Sequence, residues 1–446
     1  ADQLSAALSR IGPTMRLNST HCDILLNAPG IANRTGDDPE GARLALWLDE
    51  QELNHRYVVY EADGEGTTWK RRALRQADQL LIVGRANARP STMPDWLTTT
   101  GPSQLTKRRL VLLQEPDTTL PAGTAAWLDE IPASTHHHIR LGNPGDMARL
   151  ARLLAGQGVG LVLSGGGARG YAQIGVVRGL QEAGIPLDWV CGVSAGAIIA
   201  GQFAMGLDEP AIMARMRAVQ RGIDYTLPIH SITTGRNWND SMRDLFGDAR
   251  IEDFWLGYFC VSANLTEARE EIHDRGPAMI AARSSASFPG LVPPVYYEGN
   301  ILVDGGLFNN LPVDLMKQKP EIGSVIAVDV GVGRGIREIR PFEPYASGWT
   351  ALRQRLLRQR PAAPVPSILE VLGSAFTITN VRTAMATAGL ADLLLQPPVG
   401  QYGLTDFGRF EVLSEAGYRY TKEQLDRWTA DGTLDRLGLS AIAAGG

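Results

Sequence analysis

The chain has 446 residues, 44% of them hydrophobic and 20% charged, with a formal net charge of -5 and a pI near 5.9. That is enough sequence for two domains with their own cores, and the acidic balance excludes a global basic field of the kind that holds nucleic acid by its phosphates, so no nucleic-acid partner is expected. Three scattered cysteines, Cys22, Cys191 and Cys260, lack metal-ligand spacing and point to a reducing, cytoplasmic setting.

The chain opens ADQLSAALSR, with no basic stretch leading into an apolar core, and no run of eighteen apolar residues follows; neither a signal peptide nor a membrane span is expected. Because the first residue is Ala1 and not methionine, the sequence is compatible with a fragment or a processed product. From residue 22 to 155, short apolar runs alternate with helix-like stretches. CDILLNAP, RYVVYEAD, DQLLIVG and RRLVLLQE read as buried strands, and residues 41–54, 67–77 and 122–130 place apolar side chains at helical spacing. Such alternation predicts a parallel sheet covered on both faces, a doubly wound Rossmann-like domain over residues 1–156. It contains no GxGxxG or Walker loop, so nucleotide binding is not supported. The triplet His136 to His138 invites a metal reading, but neighbours on a strand point to opposite faces and three in a row do not converge on one ion.

A second α/β domain is expected over residues 157–335. GLVLSGGGARG joins a strand to a glycine loop and a helix at 171–182, after which come a strand at 188–191 and a helix at 195–205; later strands are read at YFCVSANL, NILVDGG and SVIAVDVG. Between the second strand and its helix lies GVSAG, Gly192 to Gly196. A strand-to-helix turn exposes a serine hydroxyl and flanking glycines permit the tight backbone, so Ser194 is a candidate nucleophile, although a small-residue turn would look the same. In SGGGARG, consecutive glycines leave amides uncovered at a helix start, which suits an oxyanion. The Lys-Ser/Thr ending of a phosphate loop is absent. Arg169 either binds a lipid phosphate or braces the loop.

A serine needs a base. Of the seven histidines, none follows His273, which rules out the order serine, acid, histidine around a late acid. His230 and His273 stay open, but neither sits at a strand end beside glycines, whereas Asp304 in NILVDGGLFNNLP does; the alternative for Asp304 is a turn-capping aspartate. Asn309 and Asn310 just after it are expected to satisfy backbone groups. The apolar segment 285–297 offers Phe288, Leu291 and Val292 as the lining of an acyl-chain groove, with core packing as the alternative.

Taken together, SGGGARG, GVSAG and DGG in this order resemble the patatin-like phospholipase family, over roughly residues 158 to 335. WLDEQELNHRYVVYEADGEGTTWKRRALRQADQLLIVG, HHHIR and YGLTDFGRFEVLSEAGY extend the likeness to the neuropathy target esterase branch, which includes bacterial lysophospholipases. The resemblance implies a patatin-like sheet flanked by helices, Ser194 as nucleophile with Asp304 as its base, and an oxyanion hole from the amides of Gly166 and Gly167 with Gly165 shaping the turn. It implies no cofactor and no metal. The implied reaction is hydrolysis of lipid acyl esters, preferentially of lysophospholipid, to a fatty acid and a glycerophosphodiester; a phospholipase A or neutral-lipid lipase with the same dyad is the enzymatic alternative, and a silent lipid sensor or scaffold the non-enzymatic one. Members of the branch often carry cyclic-nucleotide-binding domains upstream, and none is recognisable in this chain.

Residues 336–366 read as a basic, proline-flanked surface insertion. From Arg334 to Arg360 there are seven arginines against Glu338 and Glu343. Trp349, Leu352, Leu356 and Leu357 recur at helical spacing beside Arg353, Arg355, Arg358 and Arg360, the pattern of a helix lying on an anionic membrane surface, or of one docked on its own domain. Peripheral membrane association is therefore expected. Residues 367–446, with a helical stretch at 367–394, are expected to complete the catalytic domain.

Overall fold

The computed structural model describes residues 1–64, 67–88, 107–331 and 386–440. In the N-terminal region, β1 (Thr14–Leu17) runs parallel to β2 (Tyr57–Tyr60), and β3 (Gln79–Arg85), β4 (Lys107–Gln114) and β5 (Thr135–Arg140) form a separate parallel sheet in that order. The expected alternation of strand and helix holds for most elements: the helix Pro39–Asn54 starts at an Asp38 cap, and Thr68–Gln76 at Thr67, whose hydroxyl accepts from the Lys70 amide. One element differs. CDILLNAP is not a strand, because Asn18 accepts the His21 amide and starts the helix Ser19–Leu25. That helix buries Cys22 and leaves Ile24 and Leu25 exposed, so its apolar run is not a two-faced core run.

The second region is built on one mixed sheet of β6 (Gly158–Leu163), β7 (Trp189–Val193), β8 (Gly257–Asn264), β9 (Arg269–His273), β10 (Val295–Tyr297), β11 (Asn300–Asp304), β12 (Ile322–Val328) and β13 (Leu393–Leu395). Its order is β10-β11-β8-β7-β6-β12-β13, with β9 on the other edge of β8. The central strand β6 is buried along its whole length, as its GVGLVL sequence demands of a parallel strand covered on both faces. Strand β13 corrects the expected helix over 367–394, which does not reach its end: Leu393 to Leu395 pair in parallel with Ile326 to Val328.

Two register facts place the site. Strand β7 runs parallel to β8 and its last pair is Val193 with Val261, while β11 runs antiparallel to β8 and pairs Asp304 with Ser262. Because β9 occupies the opposite edge of β8 along Cys260 to Asn264, β7 and β11 share one edge. They therefore approach head-on, and their C-terminal ends meet beside consecutive residues of β8.

Behind the sheet, the helix Phe410–Ala430 crosses the helix Tyr171–Glu182 closely enough that a Cβ on Gly175 would overlap the Ser414 carbonyl and one on Gly417 the Ala172 carbonyl. The crossing joins the C-terminal helix to the large core formed with Val159, Leu161, Ile174, Ile198 and Phe246.

Candidate active site

Ser194 follows β7 directly and begins the helix Ala195–Ala204, with φ +54° and ψ -122°. A side chain in that region costs of order 1–3 kcal/mol and persists only where its surroundings enforce it. Here the enforcement is visible. The Ser194 amide donates to Ser285 Oγ at 2.9 Å, and that hydroxyl donates to the Val261 carbonyl at 2.6 Å. Glycines at 192 and 196 let the turn close, since a Cβ on Gly192 would overlap Gly196 and one on Gly196 the Leu163 carbonyl.

Across the strand junction, Asp304 is 2% exposed. Its amide donates to the Ser287 carbonyl at 2.9 Å, and its carboxylate accepts from the Gly306 amide at 2.9 Å and faces the Ser194 hydroxyl, which draws its titration down. Burial pushes the carboxyl up to about 6, against the opposing pull of those two donors. The turn-capping alternative and the proton-accepting one thus coexist in one side chain. Of the histidines left open, His230 is exposed, and His273 bonds Ser262 Oγ at 2.7 Å through Nε2. Among the described residues, the titratable group that the Ser194 hydroxyl influences is Asp304.

The glycine loop lies beside the serine: a Cβ on Gly165 would stand 3.1 Å from the Ser194 Cβ. The Gly165 amide is spent on the Asn310 carbonyl at 3.3 Å, and the Asn310 side chain donates back to the Gly165 carbonyl at 3.2 Å. The amides of Gly166 and Gly167 find no acceptor among the described residues. Ser164 anchors the loop's start, accepting the Val330 amide at 2.9 Å through its hydroxyl and the Gln173 side chain at 2.7 Å through its carbonyl. Asp329, whose carboxyl burial raises, accepts the Gly331 amide at 2.8 Å beneath the same loop.

Arg169 donates through Nε to the Tyr402 carbonyl at 2.7 Å, which ties the loop to the segment after β13. Phe288, Leu291 and Val292 follow Ser287 on the segment that receives the Asp304 amide; Val292 is buried and the other two are half-buried. Trp349, Leu352, Arg353 and Leu356 lie outside the described residues.

Two contributors were not assigned to the site from sequence. Ser285 opens an apolar run, and nothing in its neighbourhood signals that it holds the Ser194 amide. Asn310 was expected to satisfy a backbone group, and the group is the carbonyl of Gly165.

His136 and His138 point to one face of β5 and both donate from Nε2 to the backbone carbonyl of Glu252, at 2.8 and 2.9 Å. They join the N-terminal sheet to the turn preceding β8, and no group of His, Cys, Asp or Glu arranged to hold a metal occurs among the described residues.

Comparison with known proteins gives two family matches: "Patatin-like phospholipase" over residues 161–317 and "Neuropathy Target Esterase family P-loop like domain" over residues 1–152. The mouse patatin-like phospholipase domain-containing protein 7 and the human protein 6 are each 32% identical over 98% of this chain and 34% of their own length. The lysophospholipase NTE1 of Mycosarcoma maydis is 33% identical over 88% of this chain and 24% of its own length. This chain spans about a third or less of the length of these curated relatives.

Proposed function

Since this chain belongs to the patatin-like phospholipase family, in its neuropathy target esterase branch, we propose that it is a serine esterase that hydrolyses lysophospholipids. The observation that carries the reading is the placement of the Ser194 hydroxyl beside a buried Asp304 whose carboxyl burial raises to about 6. An ordinary aspartate is too weak a base to take a serine proton near neutral pH; burial brings it closer to the task.

In the proposed cycle Ser194 Oγ attacks the ester carbonyl carbon and its proton passes to Asp304. The tetrahedral oxyanion is held by the amides of Gly166 and Gly167, a group of fixed donors that stabilises charge formed in the transition state. Collapse breaks the acyl C–O bond, and the departing glycerol oxygen takes the proton from Asp304. Water then gives a proton to Asp304 and adds to the acyl-enzyme; the fatty acid departs as Ser194 regains its hydrogen. Phe288, Leu291 and Val292 are assigned to the acyl-chain side of the site, and Arg169 to bracing the loop, an assignment supported by its bond to Tyr402.

The preference for lysophospholipid is supported by the fungal relative, which is named a lysophospholipase. The protein is proposed to work peripherally at anionic membrane surfaces on the cytoplasmic side, with residues 347–360 as a basic amphipathic contact; no described helix is long and apolar enough to cross a membrane. The three cysteines are buried and unpaired.

The test is fatty-acid release from a lysophospholipid, a diacylphospholipid and a triacylglycerol by the chain and by Ser194→Ala, Asp304→Asn and the double variant. Each single variant is expected to lose nearly all activity and the double to be scarcely worse, because the two act as one unit. Fluorophosphonate labelling that persists in Ser194→Ala would defeat the assignment.

A further inference from the structure

Between the helices Glu209–Ala218 and Arg236–Phe246, the chain forms a narrow hairpin over 224–234. The Thr234 amide donates to the Asp224 carbonyl at 2.9 Å, the Thr226 amide to the Ile232 carbonyl at 2.9 Å, and Tyr225 pairs with Thr233. Its sequence, DYTLPIHSITT, turns at Leu227–Pro228–Ile229.

The loop leaves most of its large apolar side chains exposed. Ile223, Tyr225, Leu227 and Ile229 are 54, 71, 73 and 73% exposed. On the returning limb Ser231 and Thr233 are buried instead, and Ile232 between them is half-buried. Four large apolar groups held out in one loop mark an interaction surface.

Exposure here coexists with a fixed base. The Asp224 carboxylate accepts the Thr234 hydroxyl and, at 2.9 Å, the Arg236 amide; Asn237 donates to the Gly222 carbonyl at 2.6 Å. The returning limb is bonded to the backbone of the 288–292 segment: the Ile232 amide donates to the Gly290 carbonyl at 2.9 Å, and the Thr233 amide and hydroxyl donate to the Leu291 carbonyl at 3.1 and 2.9 Å. That segment is in turn clamped by buried Arg283, which donates to Ser287 Oγ and to the Pro293 carbonyl at 3.1 Å. The same segment carries Ser285 and Ser287, the partners of the Ser194 and Asp304 amides. A continuous hydrogen-bonded path therefore runs from the hairpin to the site.

Charge distinguishes the surface from a generic sticky loop. No acidic residue occurs from Tyr225 to Gly235. At the hairpin base a polar notch of about 340 Å³ is lined by Thr234, Arg236, Asn239, Asp240 and Arg243. Arg243 pairs with Asp240 at 3.0 Å, while the Arg236 guanidinium meets no carboxylate among the described residues. An apolar tip beside a cationic notch complements acyl chains below phosphate headgroups.

We propose that the 224–234 hairpin is a bilayer-docking element: its tip enters a phospholipid surface, Arg236 meets headgroup phosphates, and the bonded 288–292 segment receives the lipid leaving that surface. The proposal deepens the lipid-esterase reading and rests on it for the last step only.

The experiment uses the full chain, a Leu227→Ser/Ile229→Ser double variant and a Leu227→Trp variant, with phosphatidylcholine–phosphatidylglycerol vesicles. Co-sedimentation of the double variant should fall about tenfold or more, and hydrolysis of vesicle-embedded lysophospholipid should fall with it. Its Tm and its turnover of a short water-soluble ester should stay as in the parent. Indole emission of Leu227→Trp should shift to the blue on adding vesicles. Unchanged sedimentation of the double variant, or unchanged emission from Leu227→Trp, overturns the proposal. So does a parent that ignores vesicles but forms a dimer which the double variant abolishes, since the occupant is then a second copy. Binding is read without catalysis, so a chain that docks through the hairpin yet hydrolyses nothing refutes the esterase reading and leaves the docking proposal standing.

Discussion

Asp304 faces the Ser194 hydroxyl at a point where two strands run into each other end to end along β8. The arrangement buries the carboxylate, and burial is the largest influence on its titration, raising it to about 6. Only the ionised form accepts a proton, so kcat/KM for a soluble ester is expected to rise with pH through an apparent pKa near 6 and then level off. The Ser194 hydroxyl pulls the carboxyl down; in Ser194→Ala, the Asp304 carboxyl followed by infrared difference spectroscopy should therefore titrate higher than in the parent. A rate that is flat from pH 5 to 8 would sink the assignment of Asp304 as base.

The same burial has a cost in stability whose sign can be worked out. The folded carboxyl titrates above its unfolded value of 3.8, so the folded state binds more protons between the two values and stability falls as pH rises from about 4 to about 6. Asp304→Asn removes that ionisation. Its Tm relative to the parent should climb across this window and stay high at pH 8, while activity is lost. Parallel Tm curves for parent and variant would show that the carboxylate is not strained by burial.

How much of this could be read in the sequence depended on whether a local rule was enough. GVSAG is legible because a positive φ at Ser194 and the close packing of Gly192 and Gly196 leave few alternatives to those residue types. The helix Tyr171–Glu182 was legible from its periodicity and from Gly184 after it. CDILLNAP misled because three apolar residues in a row, Ile24 to Leu26, outweighed the Asn18 cap just before them. Strand β9, REEIH, carries no apolar alternation at all and forms because β8 offers it an open edge. The head-on meeting of β7 and β11 is a matter of register between distant segments, and no local pattern encodes it.

Asn310 is expected to act as a positioning residue for the glycine loop. Its side chain and main chain hold Gly165 from both sides, and the amides of the next two glycines are fixed only if Gly165 is. Asn310→Ala should lower kcat for a soluble ester by about ten- to a hundredfold with KM nearly unchanged, as loss of a transition-state contact does. A stability loss of about 1–2 kcal/mol should accompany it. If KM rises and kcat holds, the residue shapes substrate binding instead.

His273 serves as the internal control on the histidine-free mechanism. Its ring is engaged by Ser262, one strand away from the dyad. His273→Gln should leave the rate within about tenfold of the parent, well short of the effect of losing a general base. A folded His273→Gln protein without activity would restore a triad.

The last expectation concerns the joint between the two regions. The Glu252 carbonyl can only accept, so His136 and His138 must each carry a proton on Nε2, and the Gln114 side chain donates at 3.0 Å to Nδ1 of His138. His138 also packs edge-on against Trp255, whose indole donates to the Thr119 carbonyl at 2.9 Å. Burial depresses both histidines, His138 to about 3. A folded pKa below the unfolded value of about 6.5 means that stability is full above pH 6.5 and is lost as pH falls below it, for His138 at about 1.4 kcal/mol per pH unit down to about pH 3. Between pH 7 and 5 the parent's Tm should therefore fall, and that of His138→Gln should fall less steeply. At pH 7.5 His138→Ala should lose about 3–5 kcal/mol through its two hydrogen bonds and its packing. The joint precedes β8 whereas Ser194 follows β7, so the two lie at opposite ends of the parallel strands. Turnover of a soluble ester at 25 °C by the folded variant should be unchanged, and a chelator should alter neither Tm nor rate. A chelator-sensitive Tm that His138→Ala abolishes would replace the hydrogen-bonded joint with a metal site.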